Sequence, residues 1–90
     1  MAIEVRIPTI LRSYTDGAKA VEGSGTTLDE LFSDLDGRHP GLRDRLVDGA
    51  ELRRFVNVYL NDEDVRFTGG LGTKVTDGDS VTVLPAVAGG

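Results

Sequence analysis

The last two residues of the sequence, Gly89 and Gly90, have the type and position best suited to chemistry. A carboxylate is a poor electrophile, and cells overcome this by adenylation with ATP, after which a nucleophile displaces AMP at the acyl carbon. An adenylating enzyme must draw the carboxyl end through a narrow channel. Side chains would obstruct that passage, whereas glycine adopts a wide range of backbone angles. The diglycine therefore favours covalent modification at the Gly90 carboxylate over the alternative, a frayed terminus without function.

The six residues 85–90 carry no charge and too little bulk to form a helix or strand. We expect them to form an exposed, flexible tail behind a single domain of residues 1–84. In this interpretation Val87, Ala88 and Gly89 thread the channel of an adenylating enzyme, and Gly90 is the site of covalent attachment.

Two glycine-rich segments invite comparison with nucleotide-binding loops. In residues 69–74 (GGLGTK), Thr73 separates the glycine from the lysine, although a Walker sequence requires them to be adjacent. The segment 23–25 (GSG) lacks the third glycine of the dinucleotide fingerprint, since Leu28 occupies that position. We therefore interpret both segments as turns.

The acidic residues near two predicted turns could in principle ligate Ca²⁺ or Mg²⁺, but they lack the spacing of a calcium loop. They are Asp62, Glu63, Asp64, Asp77 and Asp79. We predict that they keep a sheet edge solvated and that His39, beside Pro40, lies at a helix end. A pair of glycosidase-type carboxylates stays open from sequence alone, although so small a domain offers little wall for a substrate cleft.

The composition narrows the function classes further. Fifteen acidic and ten basic residues give a net charge of −5, with no basic stripe, so nucleic acid and anionic membranes are not expected as partners. The absence of cysteine excludes disulfides, thiolate catalysis and cysteine-ligated metals. No apolar run is long enough for a membrane span or a signal sequence, so we expect a cytoplasmic protein with no bound cofactor or metal.

The central part of the chain carries helix signals. Thr27 and Glu30 have the spacing of a capping box, and the apolar residues that follow recur at helical intervals: Leu28, Leu31, Phe32 and Leu35. Gly37 is the predicted stop of this helix. Pro40-Gly41 is predicted to open a second helical turn, in which Leu42 and Leu46 are four residues apart.

Strand signals lie on both sides of these helices. Ile3, Val5 and Ile7 alternate with charged residues up to Pro8, and a second strand is predicted for residues 18–22. Residues 54–60 and 80–84 are rich in β-branched residues and are predicted strands, with a short apolar segment at 65–67 as a further candidate. The expected order is β-β-α-β-(β)-β, an α+β fold.

With these elements in place, residues 56–67 (VNVYLNDEDVRF) and 77–90 (DGDSVTVLPAVAGG) resemble the ThiS/MoaD family of ubiquitin-like sulfur carrier proteins. The opening IPTILR of residues 7–12 is similar as well, and the match is best to the branch that serves cysteine biosynthesis. The resemblance implies a β-grasp fold: a mixed sheet of four or five strands on one main helix, with the first and last strands as parallel central neighbours.

The resemblance also implies a carried substrate in place of an enzyme. A ThiF/MoeB-type enzyme would use ATP to adenylate Gly90, and a sulfur donor would convert it to a thiocarboxylate. The acceptor would be an enzyme such as a pyridoxal-phosphate (PLP)-dependent cysteine synthase, after which a JAMM-type zinc metallopeptidase would release the product. Leu84 and Leu60 fall at the family's positions for packing against the activating enzyme. Alternation places Leu84 outward and Leu60 on the side of Val56 and Val58.

Two other functions remain open from the sequence. The adenylate could pass to a lysine of another protein, as for a ubiquitin-like modifier, or the domain could be a binding module with an incidental tail. The same tail would also serve sulfur transfer to thiamin, molybdopterin or another metabolite.

Overall fold

The computed structural model describes residues 2–85. Its main sheet has five strands: β1 (Ile3–Arg6), β2 (Ala20–Gly23), β5 (Val56–Leu60), β6 (Glu63–Asp64) and β7 (Ser80–Pro85). A separate small hairpin consists of β3 (Val47–Asp48) and β4 (Glu51–Leu52). Two α-helices, α1 (Leu28–Arg38) and α2 (Leu42–Leu46), lie between β2 and β3 in the chain.

The order of strands in the main sheet is β2-β1-β7-β5-β6. The first and last strands, β1 and β7, run parallel at the centre, with Val5 beside Val81, and all other pairs are antiparallel. This confirms the predicted β-grasp fold with a mixed five-stranded sheet. The parallel pairing requires a long crossover between β1 and β7, which the helices and the middle strands supply.

Helix α1 covers one face of the sheet because its apolar residues form a single stripe. Leu28, Leu31, Phe32 and Leu35 are fully buried and meet the alternate residues of the strands. Seventeen apolar side chains make up the core; those from the main sheet are Ile3, Val5, Val56, Val58, Val81 and Val83. The other face of the sheet has no helix among the described elements.

Only one of the two hydrogen bonds of the predicted capping box forms at the start of α1. The Thr27 hydroxyl accepts from the Glu30 N–H at 3.2 Å, as expected for an N-cap. The Glu30 carboxylate instead accepts from the N–H and hydroxyl of Thr26, at 2.8 and 2.7 Å. Both hydrogen bonds lower the pKa of Glu30, and the bond from the Thr26 N–H has the larger effect.

The prediction that Gly37 ends α1 was wrong, since the helix continues to Arg38. His39 is the C-cap, with its N–H donating to Leu35 O at 2.8 Å, as its predicted helix-end position required. The stop comes from Pro40, whose ring disfavours the helical conformation of the preceding residue. The positive φ needed for the turn, +93°, is taken by Gly41.

The additional strand predicted at residues 65–67 lies earlier in the chain, where it is β6. Residues 65–67 form a 3₁₀ helix and not a strand, while β6 pairs with the end of β5 through Leu60 and Glu63. Asn61 and Asp62 both have positive φ, 48° and 76°, which suits a two-residue hairpin turn. The Asp64 carboxylate then accepts from Arg66 N–H at 2.9 Å and turns the chain away from the sheet.

Further differences concern element boundaries and short elements. Strand β2 begins at Ala20 and not at residue 18, and β5 begins at Val56 because residues before it form a turn. Strand β7 extends through Pro85, one residue beyond the predicted strand of residues 80–84. The sequence interpretation also missed a 3₁₀ helix at Thr9–Thr15 and the β3-β4 hairpin, both too short for a periodic pattern.

The turn that leads into β7 predicts a measurable dependence of stability on pH. The Asp79 carboxylate accepts from Thr76 N–H at 2.8 Å and from the Asn61 amide at 3.0 Å, which lowers its pKa below the ordinary 3.8. Because the folded-state pKa is the lower one, this stabilisation is present above pH 3.8 and is lost as pH falls through the folded-state value.

Asp79→Asn should therefore lower the free energy of unfolding at neutral pH and reduce its decline in acid. Urea denaturation at several pH values measures both effects, with Asp77→Asn as the control that removes the same charge from the same turn. Equal pH profiles for the two variants would contradict the role given to the Asp79 hydrogen bonds.

Candidate functional site

The residues predicted to undergo or guide the chemistry, Val87, Ala88, Gly89 and Gly90, lie outside the described residues. The structure does fix where the chain leaves the sheet. Strand β7 ends at Pro85, which pairs with Val56 at the beginning of β5. On its other side, β1 ends at Arg6 opposite Thr82 and Ala20. We call this edge, where β1 and β7 end and β2 and β5 begin, the tail end of the sheet.

Leu84 lies at the tail end with its side chain outward. Its neighbours Val81 and Val83 are buried in the core, whereas Leu84 is 45% exposed and pairs with Asn57. The predicted outward orientation is therefore confirmed. Its docking role stays a prediction.

Leu60 lies on the opposite face of the sheet. It pairs with Val81, is half-buried and packs against the core, on the side of Val56 and Val58 as alternation indicated. Leu60 and Leu84 are therefore not parts of one flat surface. A docking role for Leu60 stays a prediction that requires a partner reaching around the sheet edge.

The tail end carries more exposed apolar residues than the sequence analysis identified. Among residues 2–85, four large apolar side chains are exposed: Ile10 (65%), Phe55 (54%), Phe67 (86%) and Leu84. Ile10 lies in the 3₁₀ helix directly after β1, and Phe55 immediately precedes β5. Both residues lie at the tail end because each is next in the chain to a strand that ends or begins there.

Arg66 brings Phe67 to the same region. The Arg66 guanidinium donates to Arg53 O at 2.9 Å, to Val56 O at 2.5 Å and to Asn57 Oδ1 at 2.8 Å. These bonds hold the 3₁₀ helix of residues 65–67 against the beginning of β5. The Arg53 guanidinium also lies 6.0 Å from the centre of the Phe55 ring, a cation–π distance.

Large apolar side chains exposed near one end of a sheet are candidates for contact with a partner. The sequence signal for them was the break in apolar alternation at residues 55 and 67. That signal identifies a residue out of register but does not show which way its side chain points.

The glycine-rich segments have structural roles. A Cβ on Gly23 would meet Leu31 Cδ1 at 2.8 Å, so this glycine allows α1 to pack closely on β2. Residues 70–72 form a 3₁₀ turn, and Thr73 O accepts from Leu28 N–H at 2.9 Å. Residues 69–72 are thus a turn as predicted, whereas the interpretation of residues 23–25 as a turn was wrong for Gly23, which is the last residue of β2.

Within residues 2–85 no three His, Asp or Glu side chains gather where they could hold a metal ion. Neither α-helix there has the length or apolar character needed to cross a membrane.

Comparison with known proteins identifies the family. The model of the ThiS family matches residues 5–90. The chain belongs to the ThiS family. The resemblance carried by residues 56–67 and 77–90 is thus confirmed.

Individual relatives cover the whole chain. The sulfur carrier protein CysO of Mycobacterium tuberculosis is 57% identical over 93 aligned positions, with all of both chains covered. The small archaeal modifier protein 3 of Haloferax volcanii is 38% identical over the same span. A chain in the crystal structure of the Amycolatopsis orientalis BexX/CysO complex has a TM-score of 0.93 at 57% identity, covering 99% of this ThiS-family chain and 100% of that one.

The opposite orientations of Val83 and Leu84 predict opposite effects on stability. Val83→Ala removes buried methyl groups and should lower the free energy of unfolding by about 2 kcal/mol. Leu84→Ala, an exposed position, should change it by no more than about 0.5 kcal/mol. Urea denaturation measures both variants, and a comparable loss for Leu84→Ala would contradict its placement on the open face.

Proposed function

We propose that this protein is a sulfur carrier, charged at the carboxylate of Gly90, and not an enzyme. The observation that carries the proposal is full-length membership of the ThiS family together with 57% identity to proteins named sulfur carrier protein CysO. The geometry is consistent with this role. Strand β7 runs to Pro85, just before the predicted tail, and Leu84 beside it is exposed.

Charging would proceed in two steps on a partner enzyme of the ThiF/MoeB type. A Gly90 carboxylate oxygen attacks the α-phosphorus of ATP, and pyrophosphate leaves. Sulfide (HS⁻) then attacks the acyl carbon and loses its proton, and AMP leaves with the oxygen, so that one oxygen of the carboxylate is replaced by sulfur. Thiocarboxylic acids are ionised at neutral pH, so the product is a nucleophile that needs no neighbouring base.

The protein's own contribution is to present the tail and to bind the partner. The absence of cysteine leaves no internal thiol to compete for the activated carbonyl. Leu84, and with lower priority Leu60, would pack against the activating enzyme, while Val87, Ala88 and Gly89 pass through its channel. The relative solved as a BexX/CysO complex supports the expectation of an enzyme partner.

The acceptor is proposed to be an enzyme of cysteine biosynthesis, such as a PLP-dependent cysteine synthase, followed by a JAMM-type metallopeptidase. The identity to CysO supports this choice over thiamin or molybdopterin synthesis. One relative, at 38% identity, is named a modifier, so conjugation to protein lysines is the second candidate. Isopeptide-linked conjugates in a lysate of the native host would favour it.

The charging step predicts a distinctive mass change. Wild-type protein incubated with a ThiF/MoeB-type enzyme, ATP and a sulfur donor should gain the oxygen-to-sulfur mass difference. It should then accept a single alkyl group. Because the chain has no cysteine, alkylation reports the thiocarboxylate alone. Intact-mass measurement followed by peptide mapping should place the change at Gly90.

Deletion of Gly89 and Gly90 should abolish charging while leaving the domain folded, because the core and all described strands lie within residues 2–85. Gly90→Ala should charge much more slowly, since its methyl group would obstruct the channel. Thiolation of the truncated protein would disprove the mechanism.

Docking predicts a defect that is separate from folding. Leu84→Ala should raise the KM of the carrier in the activation assay by about five-fold, the effect of a loss near 1 kcal/mol at an interface. Pyrophosphate release measures this change. Ser33→Ala, exposed on α1 on the other side of the sheet, is the control and should leave KM unchanged. An unchanged KM for Leu84→Ala would exclude this residue from the docking surface.

A further inference from the structure

The charge at the tail end of the sheet is opposite in sign to that of the whole protein. The net charge is −5, yet Arg6, Arg12 and Lys19 line one hollow of about 470 Å³ beside Leu84. We call these three residues the basic corner. Glu4 is the single acidic residue that lines the same hollow.

Strand register creates the basic corner. Arg6 is the last residue of β1 and pairs with Ala20, so Lys19 lies just beyond that pair, and Ile7 N–H donates to Lys19 O at 2.8 Å. Arg12 comes from the 3₁₀ helix that follows β1, and its Nε donates to Ile7 O at 3.1 Å. Three residues that are well separated along the chain thus meet where the tail leaves.

Little of this positive charge is neutralised within the described residues. The Arg6 and Glu4 side chains approach to 3.8 Å, but both are exposed, and such a pair contributes little. Arg6 and Lys19 are exposed, while Arg12 is half-buried. On the other side of the tail the signs are mixed, since Asp48 and Glu51 share a hollow with Arg53 and Arg54.

The opposite end of the same sheet is acidic. Glu22 lies near the end of β2, and the turns at that end carry further carboxylates: Asp62, Glu63, Asp77 and Asp79. The described part of the molecule therefore has an acidic end and, at the tail, a basic corner. A partner with acidic side chains would be attracted to the basic corner and repelled by the opposite end.

We propose that the basic corner is the charged part of the docking surface and that it fits an acidic rim around the channel mouth of the activating enzyme. This rests on the proposed function. The exposed apolar residues Leu84 and Ile10 supply contact area next to the basic corner. The positive charge of the basic corner orients the carrier so that the tail approaches the enzyme first. The sign of the charge favours an acidic protein surface, since a basic rim would be repelled at the point of contact.

A matched pair of charge reversals tests the proposal. Lys19→Glu and Lys74→Glu both replace an exposed lysine, and each changes the net charge from −5 to −7. Lys74 forms an isolated backbone β-bridge with Thr27, the N-cap of α1. Thr27 follows β2 in the chain, next to the acidic end of the sheet. The two variants therefore differ in position and not in total charge.

Activation of each variant by a ThiF/MoeB-type enzyme is measured as pyrophosphate release at low and at high salt. Lys19→Glu should raise the carrier's KM about three- to ten-fold at low salt with kcat unchanged, and salt should shrink the difference. Lys74→Glu should stay within about two-fold of wild type at both salt concentrations, because it lies away from the contact. Thermal unfolding verifies that both variants fold.

The outcomes separate the two proposals. Equal KM values for the two variants, or a defect that does not respond to salt, would overturn the basic corner as a docking determinant while leaving the sulfur-carrier function intact. A lower KM for Lys19→Glu would show that the rim is basic and would also overturn the inference. Failure of the wild-type protein to release pyrophosphate would instead overturn the proposed function.

Discussion

The parallel pairing of β1 and β7 is the constraint on which the rest of the molecule depends. Val5 and Val81 lie side by side at the centre of the sheet and are both fully buried, so this pair anchors the core. Parallel neighbours also end at the same edge. The chain after β1 and the chain after β7 are therefore delivered to one place, although more than seventy positions separate Val5 from Val81 in the sequence.

This placement links stability to function. The face of the sheet that carries Val81 and Val83 is covered by α1, and the face that carries Leu84 is open. Pro85, the last residue that the structure describes, is still paired with Val56, so the sheet extends to that residue.

The tail end combines two kinds of surface that the fold brings together from different segments. Apolar side chains come from the 3₁₀ helix after β1, from the turn before β5 and from the end of β7, and Arg66 attaches a fourth from the segment after β6. The basic corner comes from the end of β1 and its neighbour in β2. Apolar contact supplies affinity for a partner, whereas charge chiefly governs orientation and the rate of encounter.

The sequence by itself determined the secondary structure that depends on local pattern. Alternation predicted β1, β7 and the outward position of Leu84, and helical spacing predicted the buried stripe of α1, because both patterns are periodic over several residues. Motif order indicated the family. Only the tertiary structure decided the rest. Gly37 lies inside α1, whereas His39, the C-cap, precedes a proline. The exposure of Ile10, Phe55 and Phe67 and the clustering of Arg6, Arg12 and Lys19 depend on strand register, which joins residues that no local pattern connects.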